Sequence, residues 1–224
     1  MERPGTSPYV AARLGSWSCD RSPCVRILHL SGCHLPRDPG PDVDVAVETA
    51  AGDAQPAPGL QQDLAPEPAG PADAEPLLGL REAAAARLAA QGVRQWEPGE
   101  VGLDEVAQQV RAGQWHVLRD AGRPVAALRL LWQDEAVWGP QPPVAAYVHG
   151  LVVAQQRRGA GVGAALLHWA AARARDRGRS LLRLDCGEDN EALRRYYADQ
   201  GFRVVGRREA EGRWYSVVLL EREL

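Results

Sequence analysis

The sequence predicts an α+β domain behind a long low-complexity leader, and three features carry that expectation. An apolar stretch at residues 148–153 passes through a polar turn into Gly159, Gly161 and Gly163, and an alanine-rich helical stretch follows. That order reads as strand, turn, helix. Two strand-like runs, residues 115–119 and 124–132, flank Asp120-Ala121-Gly122-Arg123, the spacing of a hairpin. Finally, twelve of the 17 prolines fall within the first 76 residues, so regular periodicity begins only beyond them.

Residues 1–60 are rich in Pro, Gly, Ala and Asp, and are expected to be largely disordered, with one strand-like run at 25–30. Residues 61–224 form the expected domain. A helix opens at Ala72 or Asp73 and runs to Gln91, where Gly92 stops it; a second spans 103–112 and stops at Gly113. The hairpin follows, then a proline-rich turn at 139–143 and a strand at 145–153. The long helix covers 161–176 and ends before Gly178. A strand at 181–186, a helix at 190–199 and strands at 202–207 and 214–222, joined around Glu211-Gly212, complete the chain.

The 224 residues suit one ordinary domain plus an extension, and 45% hydrophobic content suffices for a core. A net charge of −3 argues against a nucleic-acid partner. No apolar run reaches 18 residues and the first 19 lack a secretory core, so no membrane partner and a cytoplasmic location are expected. The chain has no Lys, one Ile, one Asn and one Phe, the mark of a GC-rich, bacterial genome. The sole Asn is Asn190 and the sole Phe is Phe202. Cys19, Cys24 and Cys33 lie near His29 and His34, but without paired C-x-x-C spacing they read as free thiols, and no metal site is expected. Cys186 reads as a small buried apolar residue.

The run Gln156-Arg157-Arg158-Gly159-Ala160-Gly161-Val162-Gly163 is the strongest functional signal. Glycines let the backbone turn and approach a ligand closely. The helix start adds free N–H groups and a positive dipole end, a seat for pyrophosphate, and Arg157 and Arg158 add charge. Gly159, Gly161 and Ala164 also fit the dinucleotide pattern G-x-G-x-x-A. However, five residues separate the strand from the first glycine, and Asp185 lies beyond the roughly 20 residues expected for the ribose-binding acid.

The run resembles the Q/R-x-x-G-x-G/A signature of the GNAT superfamily of N-acetyltransferases, with Gln156, Gly159 and Gly161 in the signature places. Asn190, Tyr197, Gly201 and Phe202 are similar to the later motif of that family. The resemblance covers residues 71–224. It implies a three-layer α/β arrangement in which helices flank a mixed, mostly antiparallel central sheet. It also calls for a strand ahead of the first helix, for which 61–65 is a poor candidate. It implies acetyl-CoA as co-substrate and direct transfer to an amine. The acceptor is then expected to be a small molecule. Acetylation of a protein N-terminus or lysine is an alternative, as is a non-catalytic acyl-CoA-binding module. A homodimer is compatible with the family.

By the same resemblance, Leu151, Val152 and Val153 lend backbone groups to the pantetheine arm and thioester, residues 156–163 hold the pyrophosphate, and Asn190 caps a helix and offers an amide. An alkylamine is only about one part in a few thousand neutral at pH 7, a deficit of roughly 4–5 kcal/mol, so a base is useful. His149 is the candidate, against the alternative of a core histidine satisfied by a neighbour. Strand alternation is expected to place Tyr147, His149, Leu151 and Val153 on one face. Tyr197 stands where the family has its general acid, and Tyr196 is expected to pack inward. His116 and His168 read as surface residues. By the resemblance, Trp96, Trp132 and Trp138 lie in segments that shape the acceptor pocket, and Asp134 and Glu135 can attract a cationic amine, against the alternatives of core tryptophans and a solvated turn.

Overall fold

A computed structural model describes residues 65–209 and 216–224. The expected N-terminal extension, its strand at 25–30, its three cysteines, the 60/61 boundary and the Glu211-Gly212 turn lie outside the described residues.

Among the described residues, seven strands make one sheet: β1 (Glu67–Pro68), β2 (Trp115–Asp120), β3 (Arg123–Leu131), β4 (Ala145–Val153), β5 (Leu181–Gly187), β6 (Arg203–Arg208) and β7 (Val217–Glu223). The helices are α1 (Ala74–Ala90), α2 (Leu103–Arg111), α3 (Glu135–Trp138), α4 (Val162–Asp176) and α5 (Glu191–Asp199). The strand order is β1-β2-β3-β4-β5-β7-β6. β4 and β5 run parallel, connected through α4, and the other pairings are antiparallel. The first strand lies just beyond the weak candidate at 61–65. It is two residues long and pairs Glu67 with Val117 and Pro68 with His116. Pro68 has no N–H to donate, which suits an edge position.

Alternation along the strands sorts the core into layers. Ala126, Leu128, Ala146, Val148, Leu182 and Leu184 face α4 and α5. Ala170, Ala171 and Ala174 of α4 are at most 1% exposed, and their small side chains let the helix lie close on the sheet. On the other face, Val117, Ala127 and Val152 pack under α1 and α2 through Leu77, Ala84, Val106 and Val110. Trp138 of α3 covers Ala145, Tyr147 and Leu219 further along that face. No sequence pattern announced α3. Its N-cap is Asp134, whose carboxylate accepts the Val137 N–H at 3.4 Å.

The first helix is tied to the sheet by a partly buried ion pair. Arg119 of β2 donates Nη1 and Nη2 to the two oxygens of Asp73 at 2.8 and 2.7 Å, and the Gly70 N–H adds 2.7 Å. Arg119 also pairs with Glu67. The Arg119 hydrogen bonds hold the Asp73 carboxyl below its ordinary range, against the opposing effect of burial. Asp73→Ala leaves Arg119 with Glu67 alone and removes charge-assisted hydrogen bonds, so it is expected to cost on the order of 2 kcal/mol in denaturant unfolding. Because the folded pKa is the lower one, this contribution is present above the unfolded value and fades as pH falls through the folded value.

Candidate active site

The parallel pairing of β4 and β5 stops early. Its last pair is Val148 with Leu184, although β4 continues to Val153 and β5 to Gly187. The strands therefore part at their C-terminal ends, beside the start of α4. The Ala154 N–H bonds to Val125, toward β3. Successive N–H groups alternate in direction, so Val153 and Leu151 point theirs into the opening. A slot toward which backbone amides point, beyond the last β4–β5 pair, is matched to a ligand that carries amides and a carbonyl of its own.

A bulge shapes one wall of this slot. Gly150 has φ +58°, and a Cβ there would lie 2.7 Å from the Trp115 ring. Here only glycine combines the left-handed backbone with the ring's approach. The bulge overturns the expected alternation. Tyr147 and His149 stay on the α3 side, but Leu151 and Val153 pack with the α4 layer and Val152 with the α1–α2 layer. A glycine inside a strand was the available signal.

His149 stands where the strands diverge, between two acids. Its Nε2 lies 2.9 Å from Asp134 Oδ2, and its Nδ1 lies 3.6 Å from Asp185 Oδ1. The side chains of His149, Asp134 and Asp185 are 20%, 6% and 19% exposed. Burial alone would disfavour a charged imidazole. The Asp134 hydrogen bond and the charges of Asp185 and Asp134 outweigh it, Arg129 opposes them, and the His149 pKa ends above its ordinary value. Burial pushes the Asp185 carboxyl up, with His149 opposing and Asp134 adding to the rise. Asp134 is therefore not part of a solvated turn, although Glu135 is exposed. Sequence reasoning weighed Asp134 as an attractor of a cationic amine and Asp185 as a ribose-binding acid, but paired neither with His149.

Among the described residues, Asp134, His149 and Asp185 also come within metal-ligating reach, their ligand atoms all within 4.8 Å. The acids sit against different ring nitrogens, so an ion on one nitrogen leaves the acid at the other nitrogen off that bond.

The glycine turn takes the backbone path that its glycines suggest. Gly159 and Gly161 have φ of +76° and +74°, no atom lies within 4 Å of a Cβ built on either, and Gly161 is the N-cap of α4. Gln156, Arg158, Gly159, Ala160 and Gly161 are exposed, whereas the Val162 side chain is buried in the core. Arg157 is bound to Asp120, so its charge is already paired. A groove of about 760 Å³ lies between α1 and residues 153–156 and is lined by Arg87, Gln155 and Gln156 among others.

On the opposite side stands α5. Tyr197 is 6% exposed, its ring edge-on to Phe202 at 5.8 Å. Burial raises its phenol pKa, and the nearby Cys186, Tyr196 and Asp185 add to the rise, so it stays protonated. Tyr196 does not take the inward position expected of it. It is the less buried of the two, and its hydroxyl lies 2.8 Å from where a Cβ on Gly163 would be. Adjacent helical residues point about a quarter-turn apart, so one of them faces the core and the other the first turn of α4. Asn190 caps α5 by accepting the Leu193 N–H at 3.1 Å, and it donates to Gln95 at 3.3 Å. Gln95, in the α1–α2 link, also accepts the Gly187 N–H at 2.9 Å. Burial and Asp185 push the Cys186 thiol up to about 12, with Arg194 opposing, which leaves it a poor nucleophile.

The remaining candidates take packed or surface positions. Trp138 is buried, Trp132 packs on the α4 layer beneath Arg177, and Trp96 on the α1–α2 layer beneath Arg81. His168 is exposed as expected, but His116 is half-buried against Trp169, with ring centroids 4.7 Å apart.

Slot, glycine turn and sheet together describe an acyltransferase fold. Residues 83–202 match the acetyltransferase (GNAT) family, and the chain belongs to that family, whose members use acetyl-CoA as co-substrate. It is 30% identical over 142 residues to the uncharacterized N-acetyltransferase YesJ of Bacillus subtilis (strain 168), covering 60% of this chain and 78% of YesJ. A GNAT acetyltransferase of Listeria monocytogenes superposes with a TM-score of 0.60 at 22% identity, over 71% of this chain and 94% of that one. The yncA structure of Salmonella typhimurium, solved with acetyl-CoA, gives 0.54 at 18% identity, over 71% and 92%. These structures share the fold. The mixed, mostly antiparallel sheet with flanking helices agrees with the expectation from sequence. Among the described residues, no helix is long and apolar enough to cross a membrane.

Proposed function

We propose that the chain transfers an acetyl group from acetyl-CoA directly to the primary amine of a small molecule, with His149 as base and Tyr197 as acid. The observation that carries this reading is the His149–Asp134 pair at the mouth of the β4–β5 slot. A neutral imidazole has one N–H. With Asp134 accepting from Nε2, the lone pair sits on Nδ1, toward the opening. The acceptor loses a proton to Nδ1 and its nitrogen attacks the thioester carbonyl carbon. The oxyanion forms beside the backbone amides of residues 151–153. The C–S bond then breaks as the tetrahedral adduct collapses, and the Tyr197 hydroxyl protonates the departing thiolate. The adduct's second nitrogen proton leaves for solvent, and Tyr197 is reprotonated from solvent.

In this reading the backbone of residues 156–163 holds the pyrophosphate at the start of α4, with Arg158 as the unburied charge and Asn190 offering its second amide hydrogen. A small acceptor suits the short link before α3, residues 132–134, which ends at Asp134 beside His149. Acetyl-CoA is an intracellular metabolite, so a cytoplasmic setting belongs to the proposal.

The test is CoA-thiol release from acetyl-CoA across a panel of small primary amines and of peptides with free N-termini. Release with small amines is expected. Release with peptides alone would move the acceptor to a protein terminus, and acetyl-CoA binding without release to any acceptor would leave a binding module.

A further inference from the structure

The charge balance around His149 narrows the class of acceptor. This inference rests on the proposed acetyl transfer at the same site. Three features of the molecule combine. Asp185 closes the slot from β5 at the point where the strands part, with its side chain 19% exposed. Among the described residues no N–H or O–H donor lies within hydrogen-bond distance of its carboxylate; its nearest charged partner is His149 Nδ1, at 3.6 Å. With His149 neutral, two carboxylates, Asp134 and Asp185, then face one guanidinium, Arg129 of β3, which stands directly across from His149 in the β3–β4 pairing and donates to Gln114 at 2.8 Å. In this proton-accepting state, with His149 neutral, these groups carry one negative charge in excess, and a half-buried carboxylate without a hydrogen bond is costly.

We infer that the acceptor arrives as a primary alkylammonium ion, docked on Asp185, and carries no carboxylate on the carbon that bears the nitrogen. One added positive charge makes the pocket neutral, and the ammonium N–H groups supply the donors that Asp185 lacks. From that position one N–H faces the Nδ1 lone pair of His149. The proton moves from nitrogen to Nδ1, the imidazolium formed is held between Asp134 and Asp185, and the freed lone pair is available for the thioester. An arylamine is neutral at pH 7 and brings no compensating charge. An α-amino acid brings a carboxylate within a few ångströms of Asp185 and Asp134, where like charges repel.

The experiment compares kcat/KM for three acceptors of matched size: an unbranched alkylamine, the α-amino acid with the same chain, and an arylamine. Wild type, Asp185→Asn and Asp185→Glu are each assayed by CoA-thiol release, with thermal stabilisation by acetyl-CoA as the folding control. Wild type is expected to prefer the alkylamine to both others. Asp185→Asn should reduce the alkylamine-to-arylamine preference roughly ten- to hundred-fold, mainly through the KM for the alkylamine, and Asp185→Glu should restore part of it. A preference unchanged in Asp185→Asn, with acetyl-CoA stabilisation intact, overturns the inference while leaving the acetyl transfer standing. So does an α-amino acid that outperforms the alkylamine, or activity that a chelator removes and a divalent cation restores. Wild type that releases no thiol with any amine defeats the underlying transferase reading instead.

Discussion

Replacing His149 by Gln is expected to lower kcat by about 10²- to 10⁴-fold while acetyl-CoA still binds, the usual contribution of a positioned general base. Gln keeps much of the side chain's volume and can donate to Asp134, so the pair that orients the residue survives in part. What is lost is the lone pair at Nδ1. The amine must then shed its proton to water, and the neutral fraction of an alkylamine at pH 7 is only about one part in a few thousand. Titration with acetyl-CoA separates this loss from misfolding, because the cofactor site proposed at residues 156–163 does not include the imidazole. A His149→Gln variant with wild-type kcat would assign His149 a purely structural role, filled by its bond to Asp134.

Gly150→Val is the second large effect. The substitution meets two obstacles together. Its backbone must hold φ +58°, which costs a β-branched residue about 1–2 kcal/mol, and its Cβ would stand 2.7 Å from the Trp115 ring. Trp115 is 3% exposed and is held by Gln109 at 3.0 Å, so it has little room to retreat. The bulge gives way instead. A flattened strand shifts its register by one residue and turns either His149 or the 151–153 wall to the wrong face. A displacement of about 1 Å at a reacting group is enough for a hundred-fold loss in rate. The expected result is a lowered melting temperature together with at least that fall in kcat/KM. A lowered melting temperature with full activity would show that the bulge serves stability alone.

What the sequence revealed follows from how local each feature is. The glycine turn was legible because Gly159 and Gly161 signal their backbone directly, and α4 follows from an uninterrupted alanine-rich period. The hairpin was legible from its turn residues, and α5 from Asn190, which caps it. Position 149 pointed to a base through strand placement and residue type. Its partners did not, since Asp134 and Asp185 lie 15 and 36 residues away and meet His149 only because α3 folds over the sheet and β5 diverges from β4. Alternation failed at Gly150 because a bulge spends one residue without advancing the ladder. The division between Tyr196 and Tyr197 likewise depends on which neighbour each ring meets, Gly163 or Phe202.

The pH dependence of kcat/KM with an alkylamine tests the central claim most directly. Asp134 at the head of α3, Asp185 on β5 and Arg129 on β3 surround the imidazole, and their combined effect places its pKa above 6.5. Protonated His149 accepts no proton, so activity must fall on the acid side, and a raised pKa puts that fall above pH 6.5. Asp134→Asn removes the strongest influence that favours the imidazolium, so it should carry the acid limb to lower pH. An acid limb at or below 6.5 that stays in place in Asp134→Asn would contradict the assignment of His149 as the base.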